Sequence, residues 1–227
     1  MYDQSKLVFS PTARILYSFL RIFFQLLYNT FAWSYDLVAA FVSLGRWNDW
    51  VRSVLPYLTG DRILEIGHGP GHLQRALAEG HPTGLIVGLD LSRNMGKIAK
   101  RRLARAGHTP RLINGRAERL PFLPEKFTHL VATFPAEYIF HPDTLKEAWR
   151  VLAPGGSLVL LPLSWITGKA FLERLAAWLF KVTGQAPIWD DRALTPLHQL
   201  GFITHLEWIS YRSSTVLVIL ADKPQLL

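Results

Sequence analysis

A glycine-rich segment between a predicted strand and a predicted helix is the clearest candidate for ligand binding. It runs from Leu64 to Gly71 as L-E-I-G-H-G-P-G, with glycine at positions 67, 69 and 71. Glycine permits a tight turn and close approach of the backbone to a ligand, and the helix start behind it presents free N–H groups. The spacing is G-x-G-x-G, whereas dinucleotide-binding loops carry G-x-G-x-x-G. The carboxylate of Glu65 disfavours a pyrophosphate and suits a cationic ligand that bears an amino acid.

A second acidic residue, Asp90, ends the next predicted strand, within G-L-D-L-S from Gly88 to Ser92. A carboxylate at this place can accept hydrogen bonds from both hydroxyls of a ribose, as it does in dinucleotide folds. A helix-capping or turn aspartate is the alternative. Because Asp90 follows the glycine-rich loop along the chain, the two motifs together indicate a ligand that contains a nucleoside.

The segment after the fourth predicted strand is the candidate acceptor side. It reads F-P-A-E-Y from Phe134 to Tyr138 and lies at the carboxyl end of a strand, where doubly wound sheets bind ligands. Glu137 and His141 are the first candidates for a general base. The equal alternative is a loop glutamate and a helix-capping histidine before Pro142. The segment is not N/D-P-P-Y/F, which argues against an amino group of a nucleic-acid base as acceptor.

The elements that must position these residues alternate between short apolar strands and amphipathic helices from residue 60 onward, which predicts a mostly parallel sheet with crossover helices. A tight turn near Ser210–Ser214 makes the last two strands antiparallel. The predicted fold is a three-layer α/β/α, Rossmann-like, seven-stranded sheet. The predicted strands are Arg62–Ile66, Leu85–Leu89, Arg111–Asn114, Phe127–Thr133, Ser157–Leu161, Phe202–Ile209 and Thr215–Ala221. The predicted helices are Gly71–Glu79, Ser92–Ala106, Asp143–Leu152, with Asp143 as N-cap, and Gly168–Val182.

Composition excludes several classes of function. The chain has 227 residues and no cysteine, so disulfides, thiolate metal sites and cysteine nucleophiles are excluded. His68 and His72 stand four apart without a third ligand, so no metal site is predicted. The net charge of +8 favours anionic partners, but its densest run, Lys97–Arg105, is typical of a solvated helix face. No RNA- or DNA-binding motif accompanies it. The lack of cysteine fits a cytoplasmic protein, and the charge run alone does not indicate a nucleic-acid partner.

The first 58 residues are predicted to be a helical, aromatic-rich lid, and residues 59–227 the ligand-binding domain. Within the lid, residues 7–30 form a helix with a narrow polar stripe and a broad apolar face, which must be buried. That helix packs on its own domain, forms a homodimer interface, or lies on an anionic membrane surface. The stripe consists of Arg14, Ser18, Arg21, Gln25 and Asn29.

Several further segments, taken with the two acidic sites, resemble the class I S-adenosylmethionine-dependent methyltransferases. Within them the chain is similar to the ubiquinone/menaquinone-biosynthesis-like (methyltransferase type 11-like) group. The resemblance covers about residues 33–222 and is specific for fold and cofactor, but not for acceptor. The matching segments are Leu64–Leu73, Asp90–Met95, Gly115–Phe122, Glu147–Leu158 and Leu200–Phe202, with Tyr35-Asp36, Ser43–Gly45 and Trp50 upstream.

The resemblance implies a role for each matching position toward S-adenosyl-L-methionine. Gly67, Gly69 and Gly71, with His68 among them, pass under the methionine part and the ribose. Glu65 orders the loop or reaches the amino group through water, and Asp90 holds the ribose diol. The remaining implied contacts are Leu91 and Met95 on the adenine, Ala117 and its neighbour Glu118 at the adenine edge, and Thr133 beside the methionine part.

Three positions depart from the pattern of that group. Arg116 stands where an aspartate usually bonds the adenine amino group, so that contact passes to Glu118 or is lost. Thr128 follows Phe127 where an aspartate is usual, and His68 replaces a smaller residue.

The predicted function is methyl transfer to a small, lipophilic acceptor such as a quinone precursor, a phenol or a lipid-like amine. Two alternatives stay open: an RNA methyltransferase, suggested by the charge, and a cofactor-binding protein without transferase activity, suggested by Arg116. The glycine spacing argues against a nucleotide-dependent oxidoreductase.

Overall fold

A seven-stranded sheet forms the centre of the protein in a computed structural model that describes residues 45–167, 191–211 and 213–225. The strand order is β3-β2-β1-β4-β5-β7-β6. All neighbouring pairs are parallel except β5–β7 and β6–β7, so β7 alone runs against the others. The predicted fold class is confirmed. The strands are β1 Arg62–Ile66, β2 Leu85–Asp90, β3 Leu112–Asn114, β4 Phe127–Thr133, β5 Leu152–Ile166, β6 Ile203–Tyr211 and β7 Ser214–Asp222.

Helices cover both faces of the sheet because successive strand residues point to opposite sides and both sides are apolar. On one face, Ile63 of β1 packs with residues of the first two helices; on the other, Leu64 packs with residues of the last two. The helices are α1 Trp47–Arg52, α2 His72–Gly80, α3 Arg93–Arg105, α4 Pro142–Val151 and α5 Thr195–Gln199, with 3₁₀ turns at Leu55–Tyr57, Glu137–Phe140 and Asp191–Leu194. The predicted helix Gly168–Val182 lies outside the described residues.

The fifth strand is much longer than the predicted Ser157–Leu161. It begins directly after α4 and passes through Pro154-Gly155-Gly156, which the sequence pattern treats as a stop. Gly155 adopts φ 73°, and the pairing with β4 shifts register between Phe127 and His129. A bulge with glycine in the left-handed conformation therefore keeps the strand continuous. A second irregularity, between Leu160 and Leu163 against β7, accommodates Pro162.

The end of the predicted lid packs against the sheet. Trp50, Val51, Val54 and Leu58 are buried in the core on one face. The indole N–H of Trp50 donates a 2.9 Å hydrogen bond to Ser214 Oγ at the start of β7. Residues 45–58 are thus tied to the sheet, whereas the rest of the predicted lid, including residues 7–30, lies outside the described residues. No helix in the described ranges is long and apolar enough to cross a membrane.

Candidate functional site

The glycine-rich loop joins β1 to α2 at the carboxyl edge of the sheet. Gly67, Gly69 and Gly71 all have positive φ, at 77°, 51° and 84°. The Gly67 N–H donates to the carbonyl oxygen of Leu89 over 2.7 Å, which anchors the loop to the end of β2. Arg102 of α3 reaches the loop from the other side, where its guanidinium donates to the Pro70 carbonyl over 2.5 Å. The loop is therefore held by two neighbouring elements.

Asp90 connects that loop to the end of β2. Its Oδ2 accepts the N–H of Gly69 over 2.8 Å, and its Oδ1 accepts the N–H of Ser92 over 2.7 Å. The Asn114 side chain, at the end of β3, donates to the carbonyl oxygens of Asp90 and Leu91. A carboxylate has about four acceptor positions, so Asp90 keeps room for further donors beside the loop.

A buried polar cluster lies behind the loop. Glu65 is 1% exposed, and Gln74 of α2 donates to its Oε2 over 2.8 Å. Burial above all, with a contribution from the nearby charge of Asp90, raises the pKa of Glu65 to about 8 against the lowering effect of the Gln74 hydrogen bond. His68 is also buried; its Nδ1 donates to the Gly69 carbonyl, and desolvation lowers its pKa. Near neutral pH both groups are therefore uncharged, and Asp90 is the acidic group of this cluster that directly contacts the loop.

The two residues that the resemblance puts on the adenine differ in their exposure to solvent. The side chain of Leu91 is 65% exposed beside Asp90, whereas that of Met95 is 2% exposed. The Met95 N–H donates to Ser92 Oγ, the N-cap of α3. Leu91 is thus the apolar side chain that an incoming ring system would meet first.

Ala117 and Glu118 follow the end of β3. Ala117 is buried at 5% exposure. Glu118 accepts from Arg116 over 3.2 Å. A backbone N–H bond lowers the pKa of Glu118 against the effect of desolvation, and the hydrogen bond and charge of Arg116 lower it further. Arg116, the departure from the family pattern, is therefore paired with the neighbour to which the adenine contact was expected to pass.

The far side of the loop is lined by the residues after β4. Thr133 ends the strand half-buried, and Phe134 follows in a left-handed conformation with φ 47°, which is uncommon for a residue with a side chain. The Phe134 ring stacks on Trp47 of α1 with centroids 4.6 Å apart. The Tyr138 hydroxyl lies against Gly67, where any Cβ would collide with it. Strained backbone of this kind is concentrated at functional sites.

The two candidate bases lie at the outer end of this segment. Glu137 is exposed and opens the 3₁₀ turn, and His141 is exposed and caps α4. His141 Nδ1 accepts the N–H of Asp143 over 3.3 Å, so the predicted N-cap Asp143 is wrong: His141 is the N-cap and Asp143 lies in the first turn. Proline at the first helical position favours this boundary.

Three contacts of the site were not predicted from the sequence. Gln74 donates a hydrogen bond to Glu65. The only sequence signal for this contact is that Gln74 is a polar residue on the apolar face of α2. Arg102 belongs to a basic run and shows no signal for a loop contact. The Trp47–Phe134 stack joins residues 87 positions apart, which a one-dimensional pattern does not reveal. In the described ranges no three His, Asp or Glu side chains lie together where they could hold a metal ion.

Residues 63–156 match a family described as a methyltransferase domain. A demethylmenaquinone methyltransferase from Symbiobacterium thermophilum is 31% identical over 180 residues, which cover 71% of this chain and 72% of that protein. A ubiquinone/menaquinone biosynthesis C-methyltransferase from Pseudomonas savastanoi is 31% identical over 160 residues, covering 67% and 62%. The chain thus spans less than two thirds of the length of the latter relative.

Solved structures share the fold at lower identity. A phosphoethanolamine N-methyltransferase from Haemonchus contortus, in complex with S-adenosyl-L-methionine, has a TM-score of 0.58 and 17% identity over 80% of this chain and 53% of that one. A geranyl diphosphate C-methyltransferase from Streptomyces coelicolor has a TM-score of 0.58 and 15% identity over 77% and 78%.

The strand order, the glycine-rich loop after β1 and the acidic residue after β2 together define a class I methyltransferase fold. The chain belongs to the S-adenosylmethionine-dependent methyltransferases, in the ubiquinone/menaquinone-biosynthesis-like group. The family and the cofactor predicted from the sequence are both confirmed.

Proposed function

We propose that the protein methylates a ring carbon of a small, lipophilic quinol-type acceptor. The observation that carries this proposal is the aromatic wall at the end of β4, where Trp47 and Phe134 stack next to the segment that holds Tyr138 against Gly67. A planar aromatic ring gains from offset stacking on such side chains. Two relatives named for menaquinone or ubiquinone methylation support the same class of acceptor.

The residues around the loop fit the cofactor. When bound, S-adenosylmethionine supplies a methyl group already activated on a sulfonium. We assign Asp90 to the ribose hydroxyls, since its carboxylate has unused acceptor positions. Gly69 offers open space: a Cβ built on it meets no described atom within 4 Å. The other assignments from the resemblance are part of this proposal. The residues assigned to the adenine are Leu91, Met95, Ala117 and Glu118, and Thr133 is assigned to the methionine part. Glu65 and His68 support the glycine-rich loop from behind.

The chain contributes mainly alignment and exclusion of water. For transfer, the residues of this site would have to hold the nucleophilic ring carbon of the acceptor close to the methyl group that the cofactor would supply. Trp47 and Phe134 fix the plane of the ring, and Tyr138 closes the approach over Gly67. Apolar walls of this kind keep water away from the reacting atoms.

A base is needed for two reasons. A quinol hydroxyl donates most electron density to the ring carbon after it has lost its proton, and the methylated carbon must later release its own proton. Glu137 suits this role better than His141. Since His141 Nδ1 accepts the N–H of Asp143, the proton of the neutral imidazole is on Nε2, which is then a donor. We assign Glu137 as the base and His141 as a donor to the acceptor oxygen.

The test is a transfer assay with cofactor labelled in its methyl group. Label is expected on the ring carbon of a short-tailed naphthoquinol and not on phosphoethanolamine or on a base of RNA. The Glu137→Gln variant should lower kcat by about 10²-fold or more with little change in KM, and His141→Gln should have the smaller effect. Transfer to phosphoethanolamine or RNA, or to none of the three, would overturn the proposal.

A further inference from the structure

The entire net charge of the protein lies in one stretch of sequence beside the cofactor site. Between Leu91 and Ala117 there are eight Lys and Arg residues and no Asp or Glu. The chain as a whole has 25 basic and 17 acidic residues, so the remaining 200 residues carry 17 of each sign. The charge of +8 is therefore a local property of α3 and of the residues that flank β3, and not a general feature of the chain.

Most of this charge lines one face of α3. Met95, Ala99 and Leu103 are buried on one side of the helix. At 100° per residue the exposed basic side chains occupy an arc of about 140° on the opposite side and extend over roughly 18 Å. These five residues, here called the α3 basic face, are Arg93, Lys97, Lys100, Arg101 and Arg105.

This arrangement costs the helix stability. Arg93, Lys97, Arg101 and Arg105 are spaced four apart, where like charges repel, and Arg93 lies in the first turn of the helix, which disfavours cations. In the described part of the chain, Lys97, Lys100, Arg101 and Arg105 form no ion pair. An anionic partner would relieve the repulsion that the isolated fold leaves unbalanced.

We propose that the α3 basic face docks on an anionic lipid bilayer. The face begins two residues after the exposed Leu91, at the rim of the proposed cofactor site, so a bilayer against this face lies next to that site. Residues 91–117 contain no Phe, Tyr or Trp, so the stacking side chains that single-stranded nucleic acid requires are absent from this stretch. The choice of lipid rests in part on the proposed function, since a lipophilic acceptor is dissolved in the bilayer.

The proposal is tested with the full chain and vesicles, without cofactor or acceptor, so its failure is independent of the methylation assay. The wild type should sediment with phosphatidylcholine vesicles that contain phosphatidylglycerol and not with phosphatidylcholine alone. Binding should fall when salt is raised from about 0.1 M to about 1 M, because the screening length shortens from about 10 to about 3 Å.

Two triple variants with the same change in charge locate the surface. Lys97→Gln, Lys100→Gln and Arg101→Gln together should weaken partitioning at least tenfold, since each basic side chain near an anionic leaflet contributes roughly a fivefold factor. Arg52→Gln, Lys126→Gln and Lys146→Gln, exposed elsewhere, should leave it within about twofold. The single variant Lys100→Glu repeats the test with one substitution if the triple variant is unstable.

Three results would overturn the proposal. The first is an equal loss of vesicle binding in both triple variants, which would show that binding depends on the net charge of the protein and not on the α3 basic face. The second is unchanged vesicle binding in both triple variants, which would show that another part of the chain contacts the bilayer. The third is tighter binding of an RNA duplex than of the anionic vesicles at the same salt, with that binding lost in the α3 variant.

Discussion

Asp90 has two tasks at the scale of a single side chain. It closes the loop through the Gly69 N–H and caps the turn at Ser92, and it is the carboxylate proposed for the ribose. The ribose task stays a prediction, whereas the turn-capping alternative offered by the sequence is confirmed by the Ser92 contact. The two are compatible because a carboxylate accepts more than two hydrogen bonds.

Replacing Asp90 with alanine should weaken binding of S-adenosylmethionine by roughly 1–3 kcal/mol, because a charged acceptor is lost. Titration calorimetry gives the dissociation constant directly. Asp61→Ala is the matched control: its carboxylate precedes the opposite end of β1 and its side chain is 82% exposed. Unchanged affinity in the Asp90 variant would remove this residue from the ribose site.

Glu65 makes stability depend on pH in a direction opposite to that of most carboxylates. Its pKa in the folded protein is about 8, above the value of 4.5 for an exposed glutamate. The folded state therefore binds the extra proton, and the contribution to stability is complete below about pH 4.5 and is lost as the pH rises through about 8. Glu65→Gln imitates the protonated form and keeps an acceptor for Gln74.

The free energy of unfolding of Glu65→Gln, relative to wild type, should accordingly increase by about 3 kcal/mol between pH 5 and pH 8. Urea unfolding of both proteins at the two pH values measures this difference, and other titrating groups cancel. Parallel changes in the two proteins would show that Glu65 is ionised in the fold. The sequence identified Glu65 as important but not its protonation, because burial by Gln74 and α2 is a tertiary effect.

At the scale of elements, the glycine-rich loop can be tested by a pair of substitutions. Gly69 and Gly107 both have positive φ, at 51° and 79°, and a Cβ on either meets no described atom within 4 Å. Alanine at each should cost about 1 kcal/mol of stability through backbone strain alone. Only Gly69→Ala should weaken cofactor binding, by at least tenfold, because only at Gly69 would the added methyl group occupy space that the cofactor needs next to the main chain. Equal affinities for the two variants would place the cofactor elsewhere.

The elements themselves were largely predictable. β1 and β4 have the predicted bounds, and α2 and α3 differ from theirs by one residue at each end. These elements follow hydrophobic periodicity and glycine or serine caps, which are local signals. β5 was not predictable in full because its continuity through Pro154-Gly155-Gly156 depends on pairing with β4 on one side and β7 on the other. Tertiary pairing overrides a local stop signal there.

At the scale of the whole molecule, the sequence predicted the layers but not the surface that the charge creates. The run in α3 is typical of a solvated face when it is seen alone. Its meaning changes when the rest of the chain is found to be neutral and the helix to begin beside the cofactor site. The Trp47–Phe134 stack was also beyond sequence reasoning, because the two residues come from separate elements that meet only in the folded protein.

The position of β7 has a consequence for biosynthesis. This strand is later in the chain than β6 but lies between β5 and β6, and Val216, Leu217, Val218 and Ile219 are all fully buried. A nascent chain that has emerged only as far as β6 therefore has an unpaired edge on β5 and no neighbour for β6. Exposed strand edges of this kind pair with other chains. The sheet is completed only when residues 214–222 leave the ribosome, so protection of the nascent chain is most needed just before that moment.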